Sequence, residues 1–186
     1  LNNSLQFDAN AYYYDYANFQ TTIATLDEDD GLLTVPNDSG SATAYGFETN
    51  VRYAVNEDAS FFANYAYVNA TFDDLDEDGN EQELAGNRFR LTPENSFSLG
   101  ANLSLDLSKR IEVFLRPTYS YKSKVFFEET NLPNISQDAY GLLNIRLGGR
   151  LDKTKELQFF VTNALDEEYI IDAGNTGGAF GIPTFI

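Results

Sequence analysis

Ser96-Phe97-Ser98-Leu99-Gly100-Ala101-Asn102-Leu103-Ser104-Leu105 alternates without a slip, with Phe97, Leu99, Ala101, Leu103 and Leu105 on one side and Ser96, Ser98, Gly100, Asn102 and Ser104 on the other. Successive side chains of an extended strand point to opposite faces, so this spacing predicts a strand and not a helix. One face is wholly apolar. The other is small and polar, which suits a water-filled lumen better than the second buried layer of a sandwich.

The pattern spreads outward along the chain. Tyr45 to Tyr53 places Tyr45, Phe47, Thr49, Val51 and Tyr53 opposite Gly46, Glu48, Asn50 and Arg52. Ile111 to Tyr121 sends Ile111, Val113, Leu115, Pro117, Tyr119 and Tyr121 one way and Glu112, Arg116, Thr118 and Ser120 the other. Pro117 is a local objection, since proline lacks a ladder donor and prefers edges or bulges. Phe61 to Thr71, Leu143 to Leu151 and Leu157 to Leu165 follow with less regularity, and Leu5 to Phe19 dissolves into Tyr12-Tyr13-Tyr14, as a strand does on entering an aromatic girdle. Seven strands result.

Their connections alternate in length. Val55 to Ser60, Asp106 to Arg110 and Asp152 to Glu156 are short polar turns, whereas Thr21 to Thr43, Asp73 to Pro93 and Phe127 to Asp138 are long. Short turns on one side and long loops on the other are the mark of an up-and-down membrane barrel, with periplasmic turns below and extracellular loops above. The acids gather in the long loops, at Asp27, Glu28, Asp29, Asp30 and Asp38 and again at Asp73, Asp74, Asp76, Glu77, Asp78, Glu81 and Glu83. Such an outer surface attracts divalent cations, which bridge carboxylates to anionic lipopolysaccharide, or a cationic ligand; solvated loop tips are the simpler reading.

Composition narrows the function classes. Across 186 residues there is no Cys, His, Met or Trp, and the formal charge is −17 with 12 basic residues. Thiolate metal sites, disulfides and Ser-His-Asp chemistry are excluded, and the scattered Lys and Arg argue against nucleic acid. Paired glycosidase carboxylates are conceivable in so acidic a chain, but nothing selects a pair, and the expectation is a protein that is not an enzyme. No apolar run reaches the roughly 20 residues a membrane helix needs, which does not count against a barrel, whose spanning strands need only about 9 to 11 residues. A chain that opens Leu1-Asn2-Asn3 without Met reads as a fragment.

Phe159-Phe160-Val161-Thr162-Asn163-Ala164-Leu165-Asp166-Glu167-Glu168-Tyr169 resembles the apolar-Asn-x-x-Asp-x-x-Tyr signature on the penultimate strand of TonB-dependent outer-membrane receptors, through Asn163, Asp166 and Tyr169. Ala44-Tyr45-Gly46-Phe47-Glu48 is similar to the Gly-x-Glu strand start of those receptors, and Gly86-Asn87-Arg88 with Pro93 to their loop-to-strand re-entry. The resemblance covers essentially residues 1–186 and implies an antiparallel transmembrane β-barrel fragment, about strands 15 to 21 of a barrel of about 22 that closes around a plug. It further implies a cell outer membrane of a Gram-negative bacterium, lipid and lipopolysaccharide around the wall, and TonB reached through an N-terminal region outside this chain. The ligand is a scarce nutrient: a ferric siderophore, cobalamin or a glycan. Gly174 to Ile186 reads as the last outer loop, with the final strand and its terminal aromatic missing.

Three groups of residues are candidates for function. Glu48, Arg52, Glu112, Arg116, Lys122, Arg146 and Arg150 share the expected lumen face, where opposite charges on neighbouring strands pair across the wall, hold a plug or guide a solute. Asp74, Asp76 and Asp78, followed by Gly79, match the first half of a calcium loop; the second half fails, because Ala85 stands where a bidentate Glu is required. Phe126 with Phe127, and Tyr12 to Tyr16, are placed at strand tops to stack on a sugar or an aromatic siderophore, or to form a girdle. Two other architectures stay open. An autonomous eight-stranded outer-membrane barrel, an adhesin or structural protein, requires Gly174 to Ile186 to supply an eighth strand, and a soluble carbohydrate-binding sandwich requires the apolar faces to cover each other.

Overall fold

A computed structural model describes residues 4–27, 31–38, 40–152, 154–177 and 182–185, with backbone alone over 21–38 and 175–185. The seven alternating segments all fold as strands, and further strands form in the connections: β1 (Leu5–Tyr16), β2 (Gln20–Asp27), β3 (Gly31–Asp38), β4 (Ala42–Ala54), β5 (Ala59–Phe72), β6 (Asn95–Ser108), β7 (Ile111–Lys122), β8 (Val125–Phe126), β9 (Ser136–Gln137), β10 (Tyr140–Leu151), β11 (Lys155–Val161), β12 (Ala173–Gly177) and β13 (Ile182–Phe185). Among the described residues there is no helix.

Seven strands make one antiparallel sheet in the order β1-β4-β5-β6-β7-β10-β11. Each wall strand lies beside its predecessor, so the sheet is up-and-down and open, with β1 and β11 at its edges. The expected all-β barrel fragment is therefore the observed fold. The registers are long and continuous, as Leu5↔Tyr53 to Tyr16↔Ala42 and Tyr140↔Lys122 to Leu151↔Ile111 show. Since one residue of slip would send every apolar side chain to the wrong face, alternation itself holds the register. Pro117 is accommodated at a gap: the β6–β7 ladder passes Gly100↔Thr118 and resumes at Leu103↔Leu115, so no ladder partner there awaits the N–H that proline lacks.

The apolar face is uncovered. Leu5, Phe7, Tyr13, Tyr53, Phe61, Leu99, Leu105, Leu147, Leu157 and Phe159 all stand exposed on it, Phe159 to 65%. Nothing in the described chain packs against this side, which is the opposite of the arrangement a sandwich requires. Aromatics crowd its outer end, where Phe97 stacks on Tyr121 at 5.0 Å and Phe47 lies 5.5 Å from Tyr65, while Leu103, Leu115 and Leu147 line up lower down.

Several boundaries differ from the sequence reading. Thr21 to Thr43 is largely a hairpin, β2 with β3, and not an irregular loop; Glu28, Asp29 and Asp30 lie outside the described residues. The strand expected to reach Leu165 stops at Val161, and the one expected to reach Phe19 stops at Tyr16. Ala173–Gly177 and Ile182–Phe185 form β12 and β13, which pair with each other and not with the wall, so the described residues of this stretch supply no eighth wall strand.

Short turns are built by polar side chains. The Asn56 carboxamide oxygen accepts the N–H groups of Asp58 (2.9 Å) and Ala59 (2.8 Å), and Ser108 Oγ accepts those of Arg110 (3.3 Å) and Ile111 (3.2 Å). Two neighbouring turns are joined by Arg110, which donates through Nε and Nη2 to the two carboxylate oxygens of Asp152 at 2.6 Å each. That guanidinium holds the Asp152 carboxyl below its ordinary range.

Candidate functional site

The register places Glu48, Arg52, Glu112, Arg116, Lys122, Arg146 and Arg150 on one face of the sheet, opposite the apolar one. The middle of this face is a ladder of small polar groups, in which Asn50 Nδ2 donates to Asn64 Oδ1 (2.6 Å) and Asn64 Nδ2 to Ser98 Oγ (3.0 Å) across three strands. Toward the turns, Arg150 Nη1 donates to Glu112 Oε1 (3.0 Å) and its Nε to Glu156 Oε2 (2.8 Å), tying β7, β10 and β11 together. Of the seven expected residues, Glu112 and Arg150 thus pair with each other. Glu156 completes the trio.

Other charges on this face are arranged differently from the cross-wall pairing expected of them. Arg116 stands directly across from Arg146, a like-charge pair. Its guanidinium lies 4.4 Å from the Phe114 ring centroid, and that of Arg150 lies 5.2 Å from the same ring, so the ring face shares in holding the cations. Glu48 sits between Asn10 and Ala66, Arg52 between Gln6 and Phe62, and Lys122 at the outer end between Ser96 and Tyr140.

Above the wall the long connections form a cap with its own apolar interior. Ala42, Phe72 and Leu84 are buried there beneath Tyr16, Phe19 and Phe89, and Val125, Phe127, Ile135 and Ala173 form a second cluster with Ile170 against it. Phe127 is only 2% exposed, which corrects its expected place as a stacking platform: the ring is a core group of the cap. The tyrosines of β1 divide. Tyr12, Tyr14 and Tyr16 line up as tilted rings in a column on the polar face at 5.5 and 6.0 Å, while Tyr13 is exposed on the other side opposite Tyr45.

In the acidic loop Asp76 organises the chain around itself. Its carboxylate accepts the N–H of Asp78 (3.0 Å), the N–H of Asn80 (2.7 Å) and Nδ2 of Asn80 (2.9 Å), and the Asn80 side chain in particular holds the acid below its ordinary range. Among the described residues no three acidic side chains converge as a metal would require. Calcium binding by Asp74, Asp76 and Asp78 therefore stands on the sequence alone.

The Asn163-to-Tyr169 stretch closes the wall against the cap. Asn163 and Asp166 have φ of 52° and 55°, a left-handed conformation that Asn and Asp tolerate better than other side-chain-bearing residues. The Asn163 side chain clips the turn, accepting the N–H of Glu167 (3.0 Å) and donating to its carbonyl (2.9 Å), while the Asn163 N–H donates to Asn144 Oδ1 (3.0 Å) on β10. Tyr169 then stacks on Tyr140 at 4.5 Å with the rings 9° apart. Residues 1–164 match the family described as TonB dependent receptor-like, beta-barrel.

The chain belongs to that TonB-dependent receptor family. Its fold is also that of solved structures: the ferric yersiniabactin uptake receptor FyuA from Yersinia pestis (17% identity, TM-score 0.80, covering 100% of this chain and 26% of that one) and the siderophore receptor PiuA from Acinetobacter baumannii (17%, 0.66, 91% and 23%). The ferric-catecholate import receptor Fiu from K12 E. coli is similar at 20% identity and a TM-score of 0.60, over 91% of this chain and 22% of that one. The chain thus spans about a quarter of the length of these structures.

In this receptor barrel the Gly86-Asn87-Arg88 stretch folds back onto the end of β5, with the N–H of Gly86 donating to the Phe72 carbonyl and the N–H of Phe72 to the Asn87 carbonyl, each at 3.0 Å. Two amide side chains that the sequence did not single out stitch the cap together. Gln82 exchanges hydrogen bonds with the backbone of Ser41 (3.1 and 3.0 Å), and Asn131 does the same with Arg88 (2.7 and 2.9 Å). Each acts as a substitute strand edge between loops far apart in sequence. No local pattern marks such residues.

Proposed function

We propose that this chain is part of the wall of an outer-membrane receptor that takes up a ferric siderophore by TonB-dependent, energy-coupled transport. The observation that carries the reading is the division of the sheet: one face is apolar and uncovered, the other polar and hydrogen-bonded, and every long connection leaves from the same end. Lipid satisfies the first face, with lipopolysaccharide at its outer margin, and a plug and water satisfy the second. The wall strands then correspond to about strands 15 to 21 of about 22. Glu48, Arg52, Glu112, Arg116, Lys122, Arg146 and Arg150 face the lumen on this reading, and the aromatic and acidic cap meets the nutrient. The chain is read as a receptor wall and not as an enzyme.

Siderophore is preferred over cobalamin or a glycan because the similar structures named above are siderophore receptors. The test uses cells that carry the full receptor and a panel of radiolabelled ferric siderophores. Uptake of at least one, abolished by a protonophore and by loss of TonB, is expected. Uptake that ignores the inner-membrane potential, or a receptor absent from the outer-membrane fraction, overturns the reading.

A further inference from the structure

Three times on the polar face an aromatic ring lies over a glycine of the next wall strand. Tyr12 of β1 is the register partner of Gly46 on β4, Phe62 of β5 of Gly100 on β6, and Phe114 of β7 of Gly148 on β10. A methyl group placed on any of these glycines would run into the ring opposite. The glycines are therefore seats: with no Cβ they let a ring lie flat on the backbone, which keeps the ring and the peptide beneath it from lumen water.

The direction never changes. Each ring belongs to a strand that rises from the short turns to the cap, and each glycine to the descending strand that follows it. The pair Tyr119 and Gly141 on the apolar face obeys the same rule, from β7 to β10. Behind the ring, on the preceding strand, stands a polar residue: Arg52 behind Phe62 and Ser104 behind Phe114.

β11 is the fourth rising strand of the wall, and it carries Phe160 on the polar face with Arg146 behind it. Half of the arrangement is thus present. The other half is not, because β11 is an edge of the sheet. Phe160 is 68% exposed, more than any other aromatic residue among those described, whereas Phe114, which has its glycine, is 2% exposed.

We propose that the strand pairing with the free edge of β11 runs antiparallel to it and carries a glycine opposite Phe160, onto which the Phe160 ring folds. The inference rests on reading the chain as part of a closed wall. A second copy of the sheet in the same orientation across the membrane does not fit that edge, since its edge strands β1 and β11 both rise and would have to pair in parallel. Nor is the Ala173–Gly177 strand that partner among the described residues, since it forms a separate two-stranded sheet with Ile182–Phe185. The partner is therefore a descending membrane strand of alternating polarity, identified by one glycine in one register position.

The test uses the full-length receptor from the outer membrane, labelled with 13C-glycine. Phe160→Leu keeps bulk but removes the ring current. It is expected to move one glycine Hα resonance that belongs to no glycine of residues 1–186 back to its ordinary position, as Phe114→Leu does for Gly148. If Phe114→Leu moves Gly148 while Phe160→Leu moves no glycine, or only one within 1–186, the proposal fails. Replacing the identified glycine by alanine should lower the temperature at which the folded receptor survives SDS by as much as Gly148→Ala does, and no change overturns the seat. Failure of the wall reading looks different, because the receptor would then be missing from the outer-membrane fraction in the unsubstituted form.

Discussion

The wall and the cap solve burial in opposite ways. In the cap Phe72 and Phe127 are each 2% exposed and Ile135 1%, packed among loops as in any water-soluble core, whereas in the wall Leu157 and Phe159 are each 65% exposed. Between its two open edges the wall hydrogen-bonds its backbone strand to strand, apart from the gap at Pro117, yet leaves its apolar face uncovered. A soluble protein does the reverse on one face of its sheets. On the reading proposed above the solvent is part of the fold, with the cap finished in water and the wall finished by lipid.

The sharpest way to break this comparison is Phe127→Ala. In the cap it creates a cavity beside Val125 and Ile135 and is expected to cost about 3–5 kcal/mol, felt locally. Hydrogen exchange should show lost protection over residues 123–139 with β6 and β7 unchanged; equal loss in the wall would mean that the two regions share one cooperative unit. Next in size is Leu99→Arg, on the uncovered face. Reversible unfolding of the receptor in lipid should show a loss of about 2–4 kcal/mol near the bilayer centre, against within about 0.5 kcal/mol for a water-exposed site. A neutral result would remove lipid from that face.

The smallest expected effect lies in the turns, outside both regions. Because Arg110 lowers the Asp152 carboxyl, its folded value lies under the ordinary 3.8, and the pair contributes stability that is present above that value and lost as pH falls through the folded one. Exchange of the Asp152 amide, which donates to the Arg110 carbonyl at 2.8 Å, should accelerate only in that acid window, and Asp152→Asn should remove the pH dependence. Acceleration already near neutral pH would assign the turn to another group.

How much was legible follows from the same contrast. Ser96 to Leu105 announced its strand because each residue's face depends only on its neighbours in the chain, and the shared face of Glu48, Arg52, Glu112, Arg116, Lys122, Arg146 and Arg150 followed from that alternation. Asn163 and Asp166 were legible as a signature, although their left-handed backbone was not. Phe127 was misread because a ring at a strand top looks the same whether it faces a ligand or the interior of a loop cluster. That Arg116 stands across from Arg146 was not legible, because alternation assigns a face but not a cross-strand partner. The hairpin of Gln20–Asp27 and Gly31–Asp38 was read as loop for want of a clean alternation.

The sequence by itself determined the strands, their two faces, the side from which the long loops leave and the family resemblance, since all of these are written in the order of adjacent residues. Only the tertiary structure decided which charges meet, which aromatics are buried and which glycines lie under a ring. Those depend on register between strands more than thirty residues apart, as for Phe114 and Gly148, and register is set when whole faces align, not by any local pattern.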